Sequence, residues 1–235
     1  MAGTRISKTV VKEDPVFRGS RAYEGYPLAL VLHKLEPKVS QSAWIRFVCR
    51  DGYAPEIPLK KVFSGSPFLA TRSLKQAARD GWEPIVEGGK PVSPGPAYLV
   101  WTGPNERPEE FPWPYQIVAI EVFQGPPESI KVASGTDEIA SHGFQVFSTR
   151  CLKCHSLNGY GGVMGPELIS PCSVTQYWNG ELLEAYIRKP QSVRANAKMP
   201  SNEDLSSSDL ASIVAYLKYL TDREGSSSSH HCPAP

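Results

Sequence analysis

The pentapeptide Cys151-Leu152-Lys153-Cys154-His155 limits what this chain can be more than any other feature. Two thiols three positions apart, with an imidazole directly behind the second, suit half of a zinc site, a redox dithiol, or a double covalent anchor for haem. A structural zinc needs four ligands, so a second Cys/His pair should follow within roughly 12–20 residues. The only soft ligand close downstream is Cys172, and no histidine recurs before His230 and His231. A redox dithiol belongs in a βαβ surrounding, whereas this stretch has the pattern of a helix running into a loop. Haem attachment asks for two thiols on one helical turn and a histidine beside the second to coordinate iron. Cys151, Cys154 and His155 supply all three.

The flanking sequence adds to that reading. Lys198-Met199-Pro200 offers a soft thioether in a loop ahead of the last helix, suited to a sixth iron ligand. In Gly165-Pro166-Glu167-Leu168 the Pro166 carbonyl can accept a hydrogen bond from the second imidazole nitrogen and fix the ring. Gly143 and Phe147 share a helix face with Cys151, and Gly143 permits close crossing by a later helix at Ile213 and Tyr216. Met164 is expected to pack in the turn beside Pro166, His142 to face solvent or cap, and His33 to lie on or at the edge of a strand. His230, His231 and Cys232 belong to a tail of low complexity.

A chain of 235 residues is long enough for two domains. Residues 1–123 are proline-rich with strand patterns at 44–49, 97–101 and 115–123, and the spacing of Phe68, Leu69, Leu74 and Ala77 or Ala78 predicts a helix over 66–81. This domain is expected to be α+β, mixed and β-rich. Residues 124–136 have the composition of a linker. Residues 137–222 are expected to be all-α, with helices over 137–150, 180–190 and 206–221, and residues 223–235 to form a disordered tail. A net charge of +1 gives no footing for nucleic acid or a polybasic membrane contact. No apolar run approaches the ~18 residues of a membrane span, and the N-terminus lacks the apolar stretch of a secretory leader.

Over residues 137–221 the helix, CxxCH, GPxL and KMP motifs occur in the order of the class I cytochrome c family, which the chain resembles there. The resemblance implies the cytochrome c fold and one haem c, held covalently by Cys151 and Cys154, with His155 and Met199 as axial ligands and Pro166 as the orienting carbonyl. It implies Tyr160, Trp178 and Arg194 as neighbours of the haem or its propionates, with Leu168, Leu183 and Ile187 walling a dry pocket. Both axial positions would be filled, which favours outer-sphere electron transfer at a fairly positive potential over chemistry at iron. Haem c is attached outside the cytoplasm, so the resemblance also implies a periplasmic or exported protein whose leader has been removed.

Residues 24–123 resemble the core of the sulfite-oxidase-type molybdopterin-binding domain. The likeness rests on the strand "WIRFVC", the later "PGPAYLVW" and the closing "PYQIVAIEVF". The chain departs from that family where Arg50-Asp51-Gly52 follow the cysteine in place of small-Gly-Asn, and where Tyr98 stands in place of an arginine. Cys49 shares its strand face with Ile45 and Phe47, as a small buried hydrophobe would; ligation of molybdenum or a disulfide to Cys172 or Cys232 are its other readings. The expectation is a degenerate domain without molybdopterin, a docking or scaffold module for redox partner proteins, in a chain that transfers electrons and is not an enzyme. The alternative is a molybdenum–pterin oxidoreductase with a fused cytochrome outlet.

Overall fold

The computed structural model describes residues 5–35, 40, 42–75, 80–104, 106, 108 and 110–224. It divides into two compact units, Met1–Gly125 and Pro126–Pro235.

The first unit is built on antiparallel sheets. Strands β1 (Ser7–Asp14), β2 (Gly19–Pro27), β5 (Pro67–Ser73) and β8 (Tyr98–Trp101) form one sheet in the order β1-β2-β5-β8. Strands β4 (Glu56–Pro58), β3 (Trp44–Cys49) and β9 (Ile117–Phe123) form another, and β6 (Ile85–Glu87) pairs with β7 (Lys90–Val92). All four residues of β8 are buried because its two faces serve two cores. Tyr98 and Val100 pack with Val11, Tyr23, Phe68 and Trp82, whereas Leu99 and Trp101 pack with Leu28, Ile45, Phe47 and Leu59. In β3, Ile45, Phe47 and Cys49 point inward as their period of two requires. From its opposite face, Arg46 reaches its cross-strand neighbours Glu56 and Glu121 at 2.7 and 3.1 Å.

A buried carboxylate knits the second core together. Asp14 accepts hydrogen bonds from the Tyr23 and Tyr98 hydroxyls at 2.8 and 3.0 Å and from the backbone N–H groups of Val16 and Phe17. Burial, with the Asp14 charge alongside, drives both phenols well above their ordinary pKa, so they remain donors to it.

Two expectations for this unit are corrected. The predicted helix over 66–81 is strand β5, which pairs with β2 on one edge and β8 on the other; Leu74 is exposed beyond it, and Ala77 and Ala78 lie outside the described residues. Bonding on both edges overrides a weak local helical spacing. His33 lies on helix α1 (Leu28–Leu35), not on a strand, with its ring 5.4 Å from that of Phe63 on helix α2 (Leu59–Ser64).

The second unit is helical: α3 (Glu138–Arg150), α4 (Val174–Tyr177), α5 (Gly180–Arg188), α6 (Pro190–Val193) and α7 (Ser207–Glu224), with a small hairpin of β10 (Ser156–Leu157) and β11 (Tyr160–Gly161). Asp137 caps α3 by accepting from the N–H of Ala140, and Asn179 caps α5 from Leu182. Helix α3 meets α7 through Ala140, Gly143 and Phe147. Ile139, one position off that stripe, is 63% exposed. A Cβ at Gly143 would run into the Ser212 carbonyl and lie 2.8 Å from Tyr216 Cβ, so only glycine admits this approach. Phe144 and Phe147 both pack on Tyr216, each with ring centroids 5.6 Å away.

Residues 126–136, expected as a linker, are part of this unit. The 3-10 turn Glu128–Ile130 buries Ile130 completely in the helical core. Its carbonyl accepts the Tyr216 hydroxyl at 2.5 Å, and Lys131 O accepts from Arg223 at 2.8 Å. Helix α7 runs to Glu224, past the expected start of the tail, and residues 225–235 lie outside the described ones. Among the described residues no helix is long and apolar enough to cross a membrane.

Overpacking a tight crossing costs about 1–3 kcal/mol. Gly143→Ala should lower the urea midpoint of the helical unit accordingly, whereas His142→Ala, on the half-exposed neighbouring position, should cost less; equal midpoints for Gly143→Ala and the parent chain would mean that the helices can part without penalty.

Candidate functional site

Helix α3 delivers the CxxCH segment directly. Cys151 is its C-cap, donating its N–H to Phe147 O at 2.8 Å. One further turn follows, in which the N–H groups of Cys154 and His155 both donate to Cys151 O, at 3.0 and 2.9 Å. The two thiols and the imidazole therefore leave a single turn. The chain then makes the β10–β11 hairpin and returns beside that turn: Gly162 N–H donates to Leu152 O (2.8 Å), Gly165 N–H to Cys154 O (2.7 Å) and Leu168 N–H to Ser156 O (3.1 Å).

That return places the Pro166 carbonyl 2.8 Å from His155 Nδ1. A carbonyl only accepts, so Nδ1 carries the proton and Nε2 keeps its lone pair. Burial holds the imidazole below its ordinary pKa, against the upward pull of the Pro166 bond and the Glu167 carboxylate, so the ring is neutral at pH 7. A neutral imidazole with Nδ1–H anchored and a lone pair on Nε2 is prepared to ligate a metal. Gly165 is required where the chain passes the ring, because a Cβ there would lie 2.7 Å from Nδ1.

Neither Cys151 nor Cys154 is in a disulfide. Burial pushes Cys151 up to about 12, the opposite of the depressed value an attacking dithiol needs. Cys151 packs at the margin of a cluster holding Leu152, Leu157, Leu183 and Ile187, together with Tyr160, Leu168, Trp178 and Met199. The expected wall residues are thus gathered on one core. Arg194 stands over the Trp178 ring at 4.9 Å, and Trp178 packs edge-on against Tyr186 at 5.0 Å. The loop bearing Met199 is tied down by Gln191, whose amide donates to Met199 O at 2.9 Å and to Ala197 O at 3.1 Å. Two reduced thiols, an Nε2 lone pair, the Met199 side chain packed on the same core and an apolar wall suit a covalently held haem.

Other candidates fall elsewhere. Met164 is 49% exposed rather than packed, since the turn aims it outward beside Val163. His142 Nε2 is 2.8 Å from Asp209 Oδ1, tying α3 to α7. Cys49 is free and 4% exposed, which removes it from the disulfide candidates; Cys172 is disulfide-bonded, and His230, His231 and Cys232 lie outside the described residues. Two contributors were not foreseen. Glu167 fastens the hairpin turn, and Gln191 fastens the Met199 loop; Glu167 fills the open position of GPxL and Gln191 belongs to no spacing motif, and only the folded turns bring their partners to them.

The helical unit therefore has the construction of a c-type cytochrome. Residues 138–217 match the family described as Cytochrome C oxidase, cbb3-type, subunit III. A 98-residue stretch is 36% identical to "Cytochrome c oxidase subunit 2" of Alkalihalophilus pseudofirmus, covering 39% of this chain and 29% of that protein. The chain thus spans less than a third of that relative's length. Residues 138–217 are a c-type cytochrome domain, a class that holds haem c covalently, transfers electrons and works with redox partner proteins.

Burial and the nearby Asp51 charge push the Cys49 thiol up to about 12, so it stays protonated across the working range and carries almost no thiolate. Native protein at pH 8 should leave Cys49 unalkylated by iodoacetamide, with modification appearing only in denaturant; rapid labelling of the native chain would mean that β3 opens.

Proposed function

We propose that the chain is a monohaem electron carrier, with Cys151 and Cys154 as the thioether anchors and His155 and Met199 as the axial ligands. The observation that carries this is the His155 ring. Its Nδ1 is spent on Pro166 at 2.8 Å, and its Nε2 keeps its lone pair on the same turn as two reduced thiols. Bound haem c supplies a one-electron couple. The residues do the rest: Pro166 holds the imidazole in one tautomer and orientation, and Gln191 holds the Met199 loop. Leu183 and Ile187 keep water from the pocket, and the Arg194 guanidinium on Trp178 offers a cation for a propionate.

The first unit is read as a docking or scaffold module of sulfite-oxidase-like ancestry that carries no pterin. Two observations support this. The Tyr98 side chain, where the family has arginine, is buried against Asp14, and the Cys49 side chain is packed inside β3. The family that residues 138–217 match and the relative from Alkalihalophilus pseudofirmus are both described as oxidase subunits, which supports a place beside or within a multi-subunit electron-transfer complex, on the extracytoplasmic side where haem c is attached.

Protein matured in a host that makes both haem c and molybdopterin should contain about one iron per chain, no molybdenum, and a haem that stays on the polypeptide in denaturing gels. Molybdenum equal to iron would make Cys49 a metal ligand and the first unit an active site.

Thioether ligation favours ferrous iron and fills the sixth position. The reduced parent should be inert to carbon monoxide at neutral pH, whereas Met199→Ala should bind it quickly and show a lower reduction potential. Fast binding by the parent would remove Met199 from the ligand set.

A further inference from the structure

Glu167 is the most heavily hydrogen-bonded side chain in the loop that carries the proximal histidine. Its Oε1 accepts the backbone N–H groups of Asn158 (2.9 Å), Leu168 (3.1 Å), Ile169 (3.0 Å) and Ser170 (3.4 Å), and its Oε2 accepts that of Gly159 (3.0 Å). The Ser156 hydroxyl also bonds to it. These donors come from two separated pieces of chain. Asn158 and Gly159 form the turn between β10 and β11, both with positive φ (54° and 78°), and residues 168–170 follow the GPxL segment. One half-buried carboxylate thus staples the hairpin just after His155 to the strand of chain just after Pro166. The His155–Pro166 hydrogen bond joins the residues just upstream of those two places.

Burial alone would disfavour the charge. The backbone donors from Gly159 and Ile169, the Ser156 hydroxyl and Asn158 outweigh it and hold the carboxyl below its ordinary range, so Glu167 is an anion at neutral pH. Backbone donors are fixed dipoles that do not titrate, so they keep the carboxylate charged through the neutral range. Its field reaches the imidazole, where it favours added positive charge.

We infer that Glu167 is a positioning residue for the proximal histidine, and that its carboxylate lowers the reduction potential of the haem that His155 ligates. The inference rests on the haem c reading above. Two effects act in one direction. A fixed negative charge near iron favours the ferric state, which is the more positive one. A rigid Pro166 acceptor strengthens the Nδ1 hydrogen bond and makes the imidazole the better donor, which favours ferric iron again. Asn158 and Gly159 alone could have formed the turn; the carboxylate adds the tie to the opposite chain.

The test is the midpoint potential of the haem-loaded full chain, read with the proton resonance of His155 Nδ1–H. Glu167→Gln keeps the length of the side chain but removes the charge and one acceptor oxygen. Its potential should rise, with a shifted and faster-exchanging Nδ1 proton. Glu167→Asp keeps the charge but cannot span both pieces of chain, and should fall between the parent and Glu167→Gln. A potential for Glu167→Gln equal to or below the parent's, with an unchanged Nδ1 signal, would overturn the inference even if that variant melted earlier, since a merely structural role lowers stability alone. If Glu167→Gln fails to retain haem, Glu167→Asp decides by the same readings, an unshifted potential and signal overturning the inference. In the parent itself, slow amide exchange at Asn158, Gly159 and Ile169 is expected, and fast exchange there would show that the staple is absent. Failure of the haem c reading shows differently: no thioether-bound haem, or carbon monoxide binding by the parent.

Discussion

The helical unit depends on two helices touching at Gly143. Without a side chain there, α3 lies against the backbone of α7 at Ser212, close enough for Phe144 and Phe147 to stack on Tyr216. The crossing fixes the end of α3, and the end of α3 is Cys151. A helix gives its last residue a definite place only if its body is held, and a glycine contact holds it more closely than an interdigitated pair of larger residues can. The Tyr216 hydroxyl extends the same anchor to Ile130, so chain from before α3 is also pinned at the crossing.

From Cys151 onward the site is set by backbone hydrogen bonds more than by side-chain packing. Three amides of the returning segment bond to carbonyls of the CxxCH turn and of the hairpin after it, and the acceptor offered to His155 Nδ1 is itself a backbone carbonyl. Backbone groups do not change rotamer, which is why the ring can be held without a carboxylate partner of its own. On the other side of the pocket the restraint is of a different kind. The Met199 loop has little regular structure between α6 and α7, and side chains from the preceding helices, Gln191 and Arg188, bond to its carbonyls.

Most of the site was legible because its chemistry demands particular residues at short spacings. The thiols, the imidazole, the Pro166 carbonyl and the glycine at the crossing all sit within one or two turns of a motif. What escaped depends on contacts distant in sequence. Segment 66–73 carries Phe68 and Leu69 in an order that suits a helix as well as a strand, and β2 and β8 decide between them. Helix α1 hides in "LALVLHKL", an apolar run whose period is blurred, although Leu28 and Leu32 are the residues it buries. The Gly/Pro content of 124–136 does mark a break between units, yet one isoleucine within it is a core residue. Glu167 looks like a surface glutamate until the hairpin turns its amides inward.

The tether on the distal side has one more property. Gln191 binds the Met199 and Ala197 carbonyls through a neutral amide, so no formal charge takes part at either end of those bonds. Coulombic ties loosen as counterions gather, while dipole-to-dipole ties hardly respond. A chain acting as the carrier proposed above would meet a different ionic atmosphere at each partner surface. The later part of the same loop is held by the Arg150–Asp204 and Lys189–Glu203 ion pairs, so a changing ionic atmosphere would loosen residues 203–204 before it reached the Gln191 tie at Met199.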